Sequence, residues 1–166
     1  MYKYNNYEFN RLIKPIIENE KFQLTKKITH HGITRYEHSL RVAYYSYLVT
    51  KLMRLDYKET TIAAMLHDFF IYETKEDNAI TKLIKHPNYA VENAKKYFEL
   101  SEKQEDIIKT HMFPVTIAPP KYLESWIVDI VDDIAAIYER SHSVKKGLQA
   151  AATFMFVLMI SIIKIR

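Results

Sequence analysis

The side chains that could do chemistry in this chain are histidines and aspartates. Several histidines stand within apolar helical patterns or at their ends, one of them in a His–Asp pair, and a further aspartate belongs to a later helix. The candidates are His38, His67, Asp68, His86, His111 and one of the aspartates near position 132. Imidazoles and carboxylates form a ligand set that suits iron, manganese, zinc or nickel. Because a bound metal ion brings the pKa of water toward neutrality, such a set can generate a nucleophile for hydrolysis.

The His–Asp pair lies in IAAMLHDFFIY, residues 62–72, between two apolar clusters. A histidine near the C-terminal end of a helix can complement the helix dipole, so His67 alone needs no ligand. Asp68 meets the negative end of that dipole, and burying a carboxylate is costly unless a positive charge compensates it. The sequence therefore predicts a cation beside Asp68, either a basic side chain or a metal ion.

Taken singly, each of the other histidines could be either a metal ligand or an ordinary structural residue. His38 shares a helical face with Val42 and Val49, so it should point inward, and an inward histidine alone is typical of a hydrogen-bonded core residue. His86, just before a proline, and His111, at a helix end, could each be surface loop residues. Taken as one set, these side chains resemble the inward ligands from which helical bundles build metal sites.

Three aspartates compete for the last ligand position in SWIVDIVDDIAAIYE: Asp129, Asp132 and Asp133. At about 100° per residue, the apolar face of this helix is centred on positions 127, 131, 134 and 138, which places Asp129 opposite it. Asp132 and Asp133 lie just beyond the two margins of the face. Periodicity thus excludes Asp129 and leaves the other two open.

Helices must position these side chains, because apolar residues recur at helical spacing and clean alternation is nearly absent. We predict helices at residues 6–19, 22–29, 34–54, 58–68, 87–99, 102–111, 121–140 and 143–164. Gly32, a polar loop at 76–78, Pro87 as a helix start and a loop at 114–119 provide breaks. The predicted fold is all-α: a single-domain helical bundle over residues 1–166, with a metal-site core at about 30–140 and a C-terminal packing helix at about 143–164.

Composition excludes several classes of site. The 166 residues include two glycines and no cysteine, which excludes glycine-rich phosphate loops, disulfides and thiolate zinc sites. A formal charge of +4 with scattered basic residues predicts no dedicated nucleic-acid surface. Residues 150–163 are apolar but shorter than the about 20 residues that a membrane span needs. We expect a buried core helix there, with a membrane or interfacial helix as the alternative, and a cytoplasmic protein without a membrane partner.

With these residues in view, the chain resembles the HD superfamily of metal-dependent phosphohydrolases, which is named for its adjacent His and Asp. The matching segments follow the family's order over about residues 30–140. They are EHSLRVA with His38, AAMLHDFF with His67 and Asp68, a later His86 opening a helix, IIKTHM with His111, and IVDIVDDIAA with the last aspartate. The resemblance implies the helical bundle of an HD domain.

The resemblance also implies a divalent transition metal as cofactor, one or two ions, with Fe or Mn favoured and Zn, Ni or Mg possible. It assigns one ion to His38, His67, Asp68 and Asp132, and a second to Asp68, His86 and His111. The two latter histidines together are similar to the dinuclear branch of the family. Asp132 is selected because the family's last motif places an Asp after an apolar helix and before a basic residue. Here Asp133 stands at that basic position, which departs from the pattern.

The implied activity is hydrolysis of a phosphoester or phosphoanhydride by a metal-activated water, with Asp68 as the catalytic residue that bridges the ions and positions the water. The implied partner is a small phosphorylated substrate, a nucleotide above all. Met112 stands where cyclic-dinucleotide phosphodiesterases have a second histidine, and the glycine and lysine after their HD pair are missing. Cyclic dinucleotides are therefore disfavoured as substrates.

Three further residues could contact that substrate. Arg41, one turn from His38, could bind a phosphate or could instead pair with an acidic neighbour. His31 and Lys75 flank the metal-bearing helices and could contact substrate, with solvated loop residues as the alternative.

Two alternatives to hydrolysis stay open: a non-enzymatic nucleotide- or metal-sensing module, and oxidation at a mixed-valence di-iron HD site. Phosphate release, nucleotide binding without turnover and oxygen consumption distinguish the three functions. A homodimer is compatible with the sequence.

Overall fold

Helices make up nearly all of the regular structure. The computed structural model describes residues 4–30, 32–71 and 79–164 of the chain. Its helices are α1 (Tyr7–Ile17), α2 (Glu20–Gln23), α3 (Arg35–Leu52), α4 (Tyr57–Leu66), α5 (Ala79–Lys95), α6 (Glu102–Thr110) and α7 (Leu123–Lys164). A 3₁₀ turn (Leu24–Lys27) and a short antiparallel hairpin of β1 (Thr29–His30) and β2 (Ile33–Thr34) lie between α2 and α3. The predicted all-α fold class is confirmed.

Capping residues set where the ligand-bearing helices begin. Thr34 and Glu37 form a reciprocal capping box at the start of α3, and Ser101 and Gln104 form another at the start of α6. Each box satisfies backbone N–H groups that have no partner within the helix. A single such cap contributes about 0.5 to 2 kcal/mol. Because both starts are fixed, the positions of the histidines on α3 and at the end of α6 are fixed as well.

The core surrounds α4, which packs against α1, α3, α5, α6 and α7. The four residues at the end of this helix, residues 63–66, are completely buried. Phe9, Phe22, Phe69 and Ile107 are equally buried and belong to the same cluster. Burying a large apolar side chain contributes about 1.5 to 3 kcal/mol, so the end of α4 is held on every side. The His–Asp pair that follows is therefore held in a rigid setting.

Three predicted boundaries are wrong. The helix predicted at 22–29 is instead the end of α2 and a 3₁₀ turn, after which the chain enters the hairpin that Gly32 turns with a φ of 85°. Pro87 does not start a helix but lies inside α5. The same apolar repeat runs on both sides of this proline and buries Ala90 and Ala94 beyond it, which outweighs the one backbone hydrogen bond that proline removes. The two last predicted helices form one continuous α7, since neither glycine nor proline separates them.

The predicted apolar face of α7 is confirmed at Ile127 and Val131, which are buried or packed against the core, and is wrong further along the helix. Ile134 and Tyr138, which belong to the predicted face, are 61% and 51% exposed. The buried face instead carries Asp132, Ala135 and Glu139. It was not recognised because two of these three buried residues are acidic, and hydrophobic periodicity treats acidic residues as solvent-facing.

The backbone of α7 continues to Lys164, but the side chains of 145–164 lie outside the described residues. The expectation of a buried core helix at about 143–164 falls on this segment and stays a prediction, as does the single domain over 1–166. Within the part of the chain that the structure describes, no helix is both long and apolar enough to cross a membrane.

Candidate metal centre

The structure brings the six predicted ligands together from five helices and their ends. His38 lies on α3, His67 and Asp68 follow α4, His86 lies on α5, His111 follows α6 and Asp132 lies on α7. We call these six residues the His–Asp cluster. Three overlapping triads have ligand atoms within 4.8 Å of one another. They are His38, His67 and Asp68; His67, His111 and Asp132; and Asp68, His86 and His111.

Three of the four imidazoles are oriented by a hydrogen bond from Nδ1. His67 and His111 each donate from Nδ1 to a backbone carbonyl three residues earlier, at 2.7 Å. His38 donates from Nδ1 to Oε2 of Glu139 at 2.9 Å. Since carbonyl and carboxylate oxygens only accept, the proton of each neutral ring sits on Nδ1 and the lone pair on Nε2. The three Nε2 atoms are therefore available as ligand atoms.

Two of these ligand atoms converge on one carboxylate oxygen. Oδ1 of Asp132 lies 2.7 Å from Nε2 of His38 and 3.5 Å from Nε2 of His67. Oδ1 of Asp132 and Nε2 of His67 are nevertheless buried polar atoms without a hydrogen bond of acceptable geometry. Buried polar atoms in proteins almost always have a partner. A metal ion would give both atoms one, so the donor set fits such an ion.

A second convergence lies on the other side of Asp68. Nε2 of His86 and Nε2 of His111 are 3.0 Å apart, and they lie 3.6 Å and 3.9 Å from Oδ1 of Asp68. Asp68 also shares a triad with His38 and His67. Asp68 is thus the residue that shares one triad with His38 and His67 and another with His86 and His111, so its carboxylate could serve both groups.

A basic side chain also lies beside Asp68. Nε of Arg35 is 3.8 Å from Oδ2 of Asp68, and both side chains are 3% exposed. Arg35 donates to the carbonyl of Phe70 at 2.7 Å and its guanidinium lies over the Phe70 ring. The predicted cation beside Asp68 is therefore supplied at least in part by Arg35, on the oxygen that faces away from His86 and His111.

The charges within the cluster shift its pKa values in opposite directions. Burial lowers the pKa of His38, but the adjoining carboxylates of Asp132 and Glu139 outweigh it and raise this pKa to about 10. Burial lowers the pKa of His111 to about 3, and the neighbouring histidines add to the effect. Burial opposes ionisation of Asp132, yet His67 and His38 hold its pKa well below the usual range. Without metal, the cluster holds an imidazolium beside a carboxylate and keeps His111 neutral.

The residues predicted to contact substrate are placed differently. Arg41 forms an ion pair with the buried Glu139 and lines a separate cavity with Tyr4, Tyr45 and Tyr138. It is not among the residues that line the cavity over the His–Asp cluster. Its alternative interpretation, a pair with an acidic neighbour, matches this geometry. His31 and Lys75 lie outside the described residues.

Asp129 belongs to none of the three triads found among the described residues, in keeping with its exclusion as a ligand. Its predicted exposure is wrong, because it is only 5% exposed and Oδ1 accepts a hydrogen bond from the backbone N–H of Phe113. Burial and the nearby charge of Asp133 raise the pKa of Asp129 to about 7.

An open cavity of about 600 Å³ lies against the cluster. Its walls include the ligands Asp68, His86 and Asp132, together with Asp133 and Arg140. Its remaining walls are Met112, Ala136, Ile137, Ser141 and Val144. Ligand pockets in proteins span about 300 to 1,000 Å³, so this cavity can take a small molecule.

Sequence reasoning missed Arg35, Glu139 and Arg140. Glu139 could have been found from its spacing, because it stands seven residues after Asp132 and so shares its face of α7. Arg35 and Arg140 carried no comparable local signal.

A family model described as the HD domain matches residues 35–137, more than half of the chain. No curated protein and no solved structure matches the chain in the corresponding searches. The matched range contains all six residues of the cluster. The chain therefore belongs to the HD domain family, a superfamily of metal-dependent phosphohydrolases.

Proposed function

We propose that the protein hydrolyses a phosphoester or phosphoanhydride bond in a small phosphorylated molecule, a nucleotide above all, at a two-metal centre. The observation that carries the proposal is the convergence of Nε2 atoms and carboxylate oxygens in the His–Asp cluster, where Nε2 of His67 is buried without a hydrogen bond of acceptable geometry. An ordinary buried polar network would satisfy that nitrogen. The membership of the HD domain family supports the same chemistry.

The cluster has enough ligands for two ions. One ion would be held by His38, His67, Asp68 and Asp132, and the other by Asp68, His86 and His111. Nitrogen and oxygen ligands without sulfur favour Fe or Mn, and Zn, Ni or Mg are also compatible. When bound, such ions supply Lewis-acid charge at the phosphoryl group and a nucleophile from water at neutral pH.

The protein's own contribution begins with orientation. The Nδ1 hydrogen bonds of His38, His67 and His111 orient their rings, so these three side chains need not reorient to bind a metal ion. Asp68 shares a triad with each group of histidines and lines the cavity. From there its carboxylate can accept a hydrogen bond from the attacking water and hold it in line with the phosphorus.

The cavity also matches the proposed class of substrate. Arg140 places a positive charge on the wall that holds Asp68 and His86, where it can contact a phosphate. The sequence offered Arg41 as a candidate for such a contact, but Arg41 pairs with Glu139 and does not line this cavity. The apolar part of the wall, with Ile137 and Val144, can accommodate the organic part of the molecule.

The test measures phosphate release from a panel of nucleotides and simple phosphoesters, with Mn²⁺ or Fe²⁺ added to the purified protein. Asp68→Asn keeps the size of the side chain and removes its charge, so it should abolish release. Glu92→Gln, an exposed carboxylate on α5 away from the cavity, is the charge-matched control and should retain full activity.

Two results would contradict hydrolysis. Nucleotide binding without phosphate release under any of the metals would favour the sensing module. Oxygen consumption in place of phosphate release would favour the di-iron oxidation.

A further inference from the structure

We infer that Glu139 is a positioning residue for the metal centre: it holds His38 in the orientation and tautomer that metal binding needs, and Arg41 holds Glu139 in turn. The inference rests on the proposed function, because it concerns the same site. Neither Glu139 nor an Arg41 with this role was expected from the sequence.

The first step is the contact itself. Glu139 is 2% exposed, and each of its two carboxylate oxygens has a separate partner. Oε2 accepts from Nδ1 of His38 at 2.9 Å, and Oε1 accepts from Nη1 of Arg41. Because both oxygens are engaged, the carboxylate cannot rotate without losing a charge-assisted hydrogen bond. The imidazole of His38 is thereby fixed at one end.

The second step is the placement of both partners. Asp132 and Glu139 are seven residues apart on α7, which is two turns and about 10 Å along one face. Asp132 lies at Nε2 of His38, and Glu139 lies at Nδ1 of the same ring. On α3, His38 and Arg41 are three residues apart and so lie on one face. Two helices therefore hold a single imidazole at both of its nitrogens.

The third step is the charge. A carboxylate as buried as Glu139 is costly unless it is paired and hydrogen-bonded, and Arg41 provides the pairing. Only a carboxylate guarantees that Nδ1 of His38 is the donor. A glutamine at this position could donate its amide N–H to Nδ1, which would move the ring proton to Nε2 and block the ligand atom. Glu139→Gln keeps the shape of the side chain but no longer fixes the ring proton of His38 on Nδ1.

The experiment compares Mn²⁺ affinity, measured by calorimetric titration, in wild type, Glu139→Gln, Arg41→Met and the control Glu92→Gln. We expect Glu139→Gln to weaken Mn²⁺ binding by about 10- to 100-fold, the usual effect of removing a hydrogen-bond partner of a ligating histidine. Arg41→Met should weaken it in the same direction, because it releases Glu139. The control should bind as wild type does.

A spectroscopic readout separates positioning from general structural damage. The Nδ1 proton of His38, donated to a carboxylate, should give a far-downfield NMR signal in wild type, both free of metal and loaded with diamagnetic Zn²⁺. This signal should vanish in Glu139→Gln while the other histidine signals persist. If Glu139→Gln fails to fold, Arg41→Met still tests the inference. Should Arg41 contact substrate directly instead, Arg41→Met would raise KM and leave Mn²⁺ affinity unchanged, which would overturn the role given to Arg41.

The outcomes distinguish this inference from the proposed function. Wild-type Mn²⁺ affinity in a folded Glu139→Gln variant would overturn the inference alone. A wild-type protein that binds neither Mn²⁺ nor Zn²⁺ would overturn the metal centre, and with it the inference. If wild type releases no phosphate but Glu139→Gln still weakens metal binding as expected, hydrolysis would be overturned and the role of Glu139 would stand.

Discussion

Metal binding at the His38 side of the cluster should release protons, and the apparent affinity should therefore rise steeply with pH. The pKa of His38 in the metal-free protein is about 10, so its ring is an imidazolium at pH 7. An imidazolium has no lone pair and cannot act as a ligand, so the ion must displace the proton. His111, with a pKa of about 3, is already neutral and releases none.

The size of the change in apparent metal affinity with pH follows from this release of protons. For each proton released, the apparent association constant rises about tenfold per pH unit below the pKa of the group, or about 1.4 kcal/mol. Between pH 6.5 and pH 8.5 we therefore expect an increase of about 100-fold or more, since His67 also has a raised pKa. The stability of the metal-free fold should change in the opposite direction. Because the pKa of His38 is raised in the folded state, protonation of His38 stabilises the fold. This contribution is present in full below the ordinary histidine range and is lost as pH rises toward 10.

Calorimetric titration of Mn²⁺ at pH 7 in two buffers of different ionisation enthalpy counts the protons directly. At least about one proton should be released per ion bound at this side of the cluster. His142→Ala, which changes an exposed histidine of α7 outside the cluster, should leave the count unchanged. Tight binding at pH 7 without proton release, and with an affinity independent of pH, would refute the charge state assigned to His38.

Two further predictions concern α7. Asp129→Asn should have little effect near pH 4 and should stabilise the fold above pH 7 by up to about 4 kcal/mol, because the rise of this pKa from 3.8 to about 7 makes wild type lose about 1.4 kcal/mol per pH unit over that range. Urea unfolding at pH 5 and pH 8 should show the difference widening, and an unchanged difference would count against it. Ile134→Lys should change the unfolding free energy by less than about 0.5 kcal/mol, whereas the neighbouring Ala135→Lys should lower it by about 3 kcal/mol or more, since only Ala135 is buried. Equal losses of stability in thermal melts would contradict this and support the apolar face that the sequence predicted.

The candidate ligands were predictable because their residue types are rare in apolar segments and the HD pattern fixes their order. His67 and Asp68 follow the completely buried end of α4, and the structure groups them with the other four predicted ligands. The choice of Asp132 over Asp133 needed the resemblance, since both stood at a margin of the predicted face. The structure places Asp132 in a triad, while Asp133 belongs to none found among the described residues.

The features that could not be predicted from the sequence depend on contacts between residues that are far apart in the chain. Glu139 meets His38 across 101 positions of the chain, and no local pattern records that pairing. The buried face of α7 could not be predicted for a related reason. It carries the acidic residues Asp132 and Glu139, so hydrophobic periodicity favoured the exposed Ile134. At Pro87, the packing of α5 beyond the proline outweighed a local rule for helix starts.

The most direct test of the metal centre is elemental analysis of protein purified without added metal, together with its melting temperature before and after Mn²⁺ or Fe²⁺ is added. We predict close to two transition-metal ions per chain at saturation, and loss of metal in Asp68→Asn. At about 100 times the dissociation constant, binding adds about 2.7 kcal/mol and so raises Tm by about 5 to 10 °C. A protein that contains no metal, and whose Tm does not change when either ion is added, would contradict the account.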